Sequence, residues 1–283
     1  AVSEHVPREA SRSPKNKIIE VKDHLVSGEH FRIVYDEALG YAATETPETL
    51  NLSDYYPEKD YASHQEKHQG LKGRLYVFAQ NLMLRYKLNI LRNHGSGINV
   101  LDVGGGIGVF AEYVSKKGYA PCLTEPNLAA RQRSEKKGIP SFKSLFEIQK
   151  PKRFDTLTLW HVLEHVEELN ENLQKCRALL RENGLILIAV PNINSYDSKH
   201  YGAFWAALDV PRHQWHFTPS GLKDLLNSNG FSYIQSYPMW FDAFYIALLS
   251  ETYAGNKWDL LRGLFVGLYS NFRAAFNGDY SSK

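Results

Sequence analysis

Four of the five residues from 104 to 108 are glycine. A folded chain keeps so bare a stretch only where its backbone turns tightly or comes close to something else. The stretch, Asp102-Val103-Gly104-Gly105-Gly106-Ile107-Gly108, follows an apolar strand signal at 99–103 and precedes a helical one at 109–117 that Gly118 closes. A glycine loop between a buried strand and a helix aims the helix's first N–H groups at the crevice beyond the strand's end. Glu125 ends the next strand signal, at 121–125, where a carboxylate can accept from ribose hydroxyls. A dinucleotide fingerprint, G-x-G-x-x-G/A, wants a small residue where this chain has Val109, whereas D-x-G-x-G-x-G matches at every position. The loop therefore reads as a cradle for a nucleotide-type ligand; the alternative is a turn that merely needs small residues.

Beyond the loop, strand and helix signals alternate. A helix at 128–137 ends at Gly138, a third strand spans 155–160, a helix at 167–181 is stopped by Gly184, and a strand follows at 185–190. This alternation predicts a parallel sheet with crossover helices on both faces, a Rossmann-like α/β fold. Thr218-Pro219 supplies a cap and a first-turn proline for a further helix closed by Gly230; 231–237 reads as the last strand and 240–276 as helical and aromatic-rich. Upstream, Leu75, Phe78, Leu82, Tyr86, Leu88 and Leu91 recur at helical spacing over 71–93. Residues 18–46 carry two or three short strands, and 47–69 form an aromatic, polar segment. The organisation expected is a loose leader at 1–17, an N-terminal arm or lid at 18–70, a ligand-binding domain at 71–237 and a C-terminal helical extension at 238–283.

Charge narrows the partners. With 33 basic against 31 acidic residues the net charge is +2, which argues against binding nucleic acid chiefly by charge. The basic stretch Arg131, Arg133, Lys136, Lys137, Lys150, Lys152 and Arg153 reads as a solvated helix face and loop. Two cysteines, Cys122 and Cys176, can build neither a disulfide framework nor a four-cysteine zinc site. No apolar run suffices to span a bilayer and no signal peptide is evident, so the expectation is a soluble, cytoplasmic protein.

Further motifs follow the loop in order: Leu163-Glu164-His165-Val166, then 184–192 (GLILIAVPN), then Pro211-Arg212-His213 with His216-Phe217-Thr218-Pro219. Together with 100–108 and Glu125 they resemble the class I S-adenosylmethionine-dependent methyltransferases, in particular the small-molecule subgroup that includes the ubiquinone-pathway O-methyltransferases. The resemblance runs over about 71–237. It implies a seven-stranded methyltransferase sheet with S-adenosylmethionine as cofactor. Asp102, Gly104, Gly105, Gly106 and Gly108 would form the cofactor loop, with Gly104, Gly106 and Gly108 facing the methionine part. Glu125 would hold the ribose, Leu145 or a neighbour would flank adenine, and Trp160 and His161 would line the reactive sulfonium. Tyr61 and His64, in the upstream arm, would touch the methionine carboxylate or the substrate. Related bacterial enzymes often carry an N-terminal zinc ribbon; residues 31–41 have the strand-turn character but no cysteine, so no zinc is expected there.

His161, Glu164 and His165 stand at i, i+3 and i+4, which would align them on one face of a helix. The same region in the ubiquinone-pathway enzymes resembles an acid-x-x-Glu-His metal site. His161 replaces the first acid, so the expectation is no metal, turnover that survives chelation, and a mainly structural role for Glu164 and His165. Asp209, Arg212, His213 and His216 follow a long connection bearing Tyr196, Tyr201, Phe204 and Trp205, with Trp215 among them. The aromatics wall a pocket or form a packed flap. His213 and His216, with His161 and His165, are the candidate catalytic groups, since imidazole titrates near neutrality. The third strand is followed by Trp160-His161-Val162-Leu163, not by the Asn/Asp-Pro-Pro-aromatic tetrapeptide of amino methylation. The expected function is methylation of oxygen (carbon being the alternative) on a small, aromatic or apolar metabolite. Its rivals are a non-catalytic S-adenosylmethionine-binding module and an NAD-dependent oxidoreductase.

Overall fold

The computed structural model describes residues 17–56, 70–149, 151 and 153–283. Residues 1–16 of the leader, Tyr61, His64, Lys150 and Lys152 lie outside the described residues. Three N-terminal strands, β1 (Ile18–Lys22), β2 (His30–Asp36) and β3 (Tyr41–Glu45), pair antiparallel. The β1–β2 turn is built around Asp23, whose carboxylate accepts from Leu25 N and Ser27 N. The apolar periodicity upstream of the glycine loop forms one helix, α1 (Gly70–His94).

Alternation then runs as the sequence predicts: β4 (Asn99–Val103), α2 (Val109–Ser115), β5 (Ala120–Thr124), α3 (Leu128–Lys136), a two-residue β6 (Ser141–Phe142), β7 (Phe154–Trp160), α4 (Leu169–Leu179) and β8 (Leu180–Ala189). These strands form one parallel sheet in the order β6-β5-β4-β7-β8. Leu101, Leu157, Leu159 and Leu173 are buried at its core, because strands covered on both faces must be apolar on both. From β4 the chain winds outward through β5 and β6, then returns to β4's other side for β7 and β8. The winding therefore reverses between β4 and β7, and the crevice beyond their C-terminal ends is where an open α/β sheet binds its ligands.

The remaining elements are α5 (Tyr196–Tyr201), β9 (Trp215–Phe217), α6 (Pro219–Ser228), α7 (Trp240–Tyr253) and α8 (Asp259–Asn277). Thr218 caps α6 by accepting from Gly221 N. Strand β9 joins the N-terminal strands in a second sheet of order β1-β2-β3-β9, with Tyr41 opposite Phe217. The N-terminal strands are thus tied into the body of the molecule. Helices α7 and α8 pack against each other at Gly263 and Gly267, where a Cβ would come within 2.9 Å of Leu248 Cα and Phe244 Cα respectively. No helix among the described residues is long and apolar enough to cross a membrane.

Three expectations need correcting. The parallel sheet has five strands among the described residues, not seven, and 231–237 is no strand. That segment stands apart from β8 across a cleft of about 500 Å³. Its Tyr233 and Ile234 are both exposed, so it lacks the one-sided burial a strand needs, and Tyr237 is tied to α1 instead, its hydroxyl 2.6 Å from His94 Nε2. The helix expected at 167–181 ends at Leu179. The chain is already extended at Leu180, which pairs with Phe154, and Arg181 bonds Asp155 at 2.5 Å.

Candidate active site

The glycine loop leaves β4 at the switch point. Gly104, Gly106 and Gly108 all have positive φ, at +63°, +57° and +74°, which a side chain would adopt only under strain. Their surroundings differ. A Cβ on Gly104 would meet Val162 Cγ2 at 2.6 Å, one on Gly105 would meet Asp102 Oδ2 at 2.9 Å, and one on Gly108 would meet Ser134 Cβ at 2.8 Å; one on Gly106 would meet nothing within 4 Å. Three glycines therefore let protein pack on protein, and Gly106 alone among them faces open space.

Glu125, just past β5, accepts from Gly106 N at 3.0 Å through Oε2 and from Asn127 N at 2.9 Å through Oε1. Burial raises its pKa, and those two backbone bonds oppose the rise. Asp102 is wholly enclosed and accepts from Thr158 Oγ1 at 2.6 Å; burial pushes its carboxyl up to about 6, against the pull of that bond and of Lys87. Leu145 is packed in the main core, while its neighbour Phe146 is exposed.

Trp160 ends β7, His161 follows it, and Lys87 of α1 lies against the Trp160 ring. Trp160 packs edge-on against Phe110, with the Lys87 ammonium 4.4 Å from its ring centroid. Burial lowers the Lys87 pKa, and Asp242 and Asp102 partly restore it. His161 takes φ +58°, an uncommon state for a non-glycine residue that collects at functional sites. The turn sets its ring between two acids, Nε2 at 3.0 Å from Asp242 Oδ2 and Nδ1 at 3.4 Å from Glu164 Oε1. Burial alone would strip its proton; the two carboxylates outweigh burial and hold the pKa up at about 10. Sequence reasoning missed Lys87 and Asp242. Lys87 lies inside an apolar helical pattern, and Asp242 comes from α7, beyond every motif.

The remaining histidines gather around Glu164. His165 directs Nδ1 at Arg212 O (3.0 Å) and the Tyr56 hydroxyl (3.1 Å), and His213 directs Nδ1 at Ala207 O (2.8 Å). Burial, then the nearby His213, lowers the His165 pKa to about 4. His216 places Nε2 at 2.9 Å from Thr44 Oγ1 and is pushed down to about 3 by burial first, so it serves as a neutral tie between β9 and β3. Glu164 is fully buried; burial raises its pKa, but His161, His213 and His165 more than offset this. Local spacing grouped His161 with Glu164 and His165. The fold instead brings one ligand atom each of Glu164, His165 and His213 within 4.8 Å of one another. Two imidazoles and a carboxylate suit a borderline divalent cation.

Arg212 is a fastener. Its guanidinium bonds both Asp209 oxygens, Asp23 Oδ1 and Tyr55 O. The aromatic connection is packed as well: Tyr201 and Trp205 are buried among Val21, Phe31, Ile33 and Ile246, with the Trp205 indole donating to Asp197. Trp215 likewise donates to Val166 O at 2.7 Å.

The chain is 30% identical over 148 residues to a ubiquinone biosynthesis O-methyltransferase of Rhodopseudomonas palustris, an alignment covering 48% of this chain and 58% of that protein. A second protein of that description, from Bradyrhizobium diazoefficiens, is 30% identical over 146 residues, 47% of this chain and 58% of its own length. The chain thus spans less than two thirds of these relatives. In fold it is similar to the magnesium protoporphyrin IX methyltransferase of Synechocystis, solved with S-adenosylhomocysteine bound: TM-score 0.50, 14% identity, 65% of this chain and 90% of that one. The family model described as "Methyltransferase domain" matches residues 77–236, more than half of the 283 residues. The chain belongs to this methyltransferase-domain family.

Proposed function

We propose that the chain is an S-adenosylmethionine-dependent methyltransferase that methylates an oxygen of a small, aromatic or apolar acceptor. One observation carries this reading: at the sheet's switch point Gly106 opens onto space while its N–H is held by the Glu125 carboxylate. The glycine loop would take the methionine part of the cofactor, Glu125 its ribose hydroxyls, Leu145 and Phe146 its adenine, and the Lys87 ammonium its carboxylate. Tyr61 and His64 are further candidates for contact with it. The relatives' description as O-methyltransferases supports oxygen as the acceptor atom.

When bound, S-adenosylmethionine supplies an electrophilic methyl group for direct displacement. The chain's own work is then to align the acceptor and exclude water, which provide most of such an acceleration. His161, protonated near neutrality, is no base in this state. Asp242, held at 3.0 Å by His161, is the group we assign to take the acceptor's proton, with His161 orienting it. His165 and His213 shape the floor behind Glu164, and His216 fastens the second sheet.

Titration calorimetry with S-adenosylhomocysteine, followed by transfer of labelled methyl to a panel of catechols and phenols, tests the reading. Binding with turnover on an oxygen acceptor is expected. Failure to bind, with tight binding of NAD instead, would revive the oxidoreductase; binding without turnover on any acceptor would favour a non-catalytic module.

A further inference from the structure

We propose that the outward face of α8 pairs with the same face of a second copy of this chain. A helix at a protein surface ordinarily turns its large apolar residues inward and its polar ones to solvent. Helix α8 does the reverse. Its buried residues are Gly263, Val266, Gly267, Ser270 and Ala274, nearly all small, and the two glycines let it lie close against α7. Its outer side carries Leu261, Leu264, Phe265, Leu268, Phe272 and Phe276, all exposed among the described residues, Phe265 at 69% and Phe276 at 79%. At 3.6 residues per turn those six fall within an arc of about 120°, on the side of the helix away from the glycines. An apolar helix face of that width needs a cover.

Three features favour a second copy as that cover. The first is area. Leucine and phenylalanine side chains so exposed leave on the order of 700 Å² of apolar surface in one patch. The largest patch on a monomer is typically about 300–600 Å², and each partner of a stable interface buries about 800 Å². The second is spacing. Leu261, Phe265, Leu268 and Phe272 follow one another at intervals of four, three and four, the 3.5-residue period with which one helix packs along another.

The third is charge. Residues 260–277 hold no Asp, Glu or Lys. The two arginines of α8 lie beside the arc and are engaged, Arg262 with Glu251 at 3.0 Å and Arg273 over the Tyr196 ring. A surface that meets itself across a two-fold axis must tolerate its own charges. An uncharged row of leucine and phenylalanine does so at no electrostatic cost. A lipid surface is the weaker occupant, because a helix lying on a membrane presents lysines and arginines to the head groups. The pairing rests on α8 alone and holds whichever ligand the glycine loop takes.

Sedimentation velocity on the full chain across the micromolar range is the test, with circular dichroism and thermal melts to show that each variant is folded. The parent should sediment as a dimer. F265E and L268E, each placing a charge within the contact, should weaken it at least about tenfold. Ile98, 56% exposed ahead of β4, supplies the control, and I98E should remain dimeric. L268Q, which removes the apolar contact without adding a charge, stands in if L268E does not fold. A parent that stays monomeric throughout the range would overturn the proposal, and one that also floats with phosphatidylglycerol vesicles would give the face to lipid instead. A dimer left as tight as the parent's by both F265E and L268E would refute it equally, by placing the contact on another surface.

Discussion

Replacing Gly106 by alanine separates binding from folding. At φ +57° an alanine costs about 1–2 kcal/mol of backbone strain, and its Cβ would touch no protein atom within 4 Å. For a domain of this size each kcal/mol moves the melting temperature by about 2–4 °C. The ligand-free variant should therefore melt about 2–8 °C below the parent and stay folded. The methyl group projects into the space assigned to the cofactor, so the ligand must retreat from the backbone N–H groups that hold it. A loss of about 1.4 kcal/mol or more, tenfold in Kd for S-adenosylhomocysteine, is expected, and G106V should abolish binding. The control is Gly104→Ala, whose Cβ would lie 2.6 Å from Val162 Cγ2. Overpacking adds about 1–3 kcal/mol to its strain, so it should lose more stability than affinity. Calorimetry and thermal melts on the two alanine variants read both quantities. A Gly106→Ala protein that binds S-adenosylhomocysteine within about twofold of the parent, a difference below about 0.5 kcal/mol, would remove the ligand from this loop.

Three further outcomes are expected. Glu125→Ala should weaken S-adenosylhomocysteine by roughly 1–3 kcal/mol, since ribose hydroxyls lose a charged acceptor; a parent-like Kd in calorimetry would move the ribose contact elsewhere. Asp102 has a folded pKa of about 6 against an ordinary 3.8, so the native state binds its proton more tightly and the parent should lose stability as pH rises from about 4 through 6. The loss is up to about 3 kcal/mol; D102N should flatten that stretch of the denaturation-versus-pH curve, and parallel curves would refute the assignment. Asp242→Asn should lower kcat about 10²-fold or more with little change in S-adenosylhomocysteine affinity, and an unchanged kcat on an oxygen acceptor would take the proton-accepting role from it.

The parallel sheet was legible because each signal was local and redundant. The buried run at 99–103, the glycines after it, the closing glycines at 118 and 138 and the alternation through Ala189 all say the same thing within a few residues of where they act. The 231–237 strand failed for the opposite reason: a strand exists only if a neighbour pairs with it, and sequence does not reveal that Tyr237 would be drawn to His94. The site divides along the same line. Gly106 and Glu125 announce themselves by spacing, because strand, loop and helix fix their relation. Spacing could not sort the glycines, since what separates Gly106 from Gly104 is the presence of Val162 against the latter, a contact set by the turn after β7.

The histidines show the limit most sharply. A helical reading of 161–165 puts His161, Glu164 and His165 on one face, but His161 takes φ +58° and the helix does not begin there; only a short 3₁₀ turn, Leu163–His165, forms. That reversal sets the His161 ring between Asp242 on α7 and Glu164, and His213 joins Glu164 and His165 from the loop fastened by Arg212 to Asp23 and Tyr55. The N-terminal sheet thus enters the chemistry indirectly. Its Asp23 turn holds Arg212, Arg212 holds Asp209, and the carbonyls of Ala207 and Arg212 set the two imidazoles that face Glu164. A strand arm that reads in sequence as a lid or a support is, in three dimensions, part of what orients the histidines.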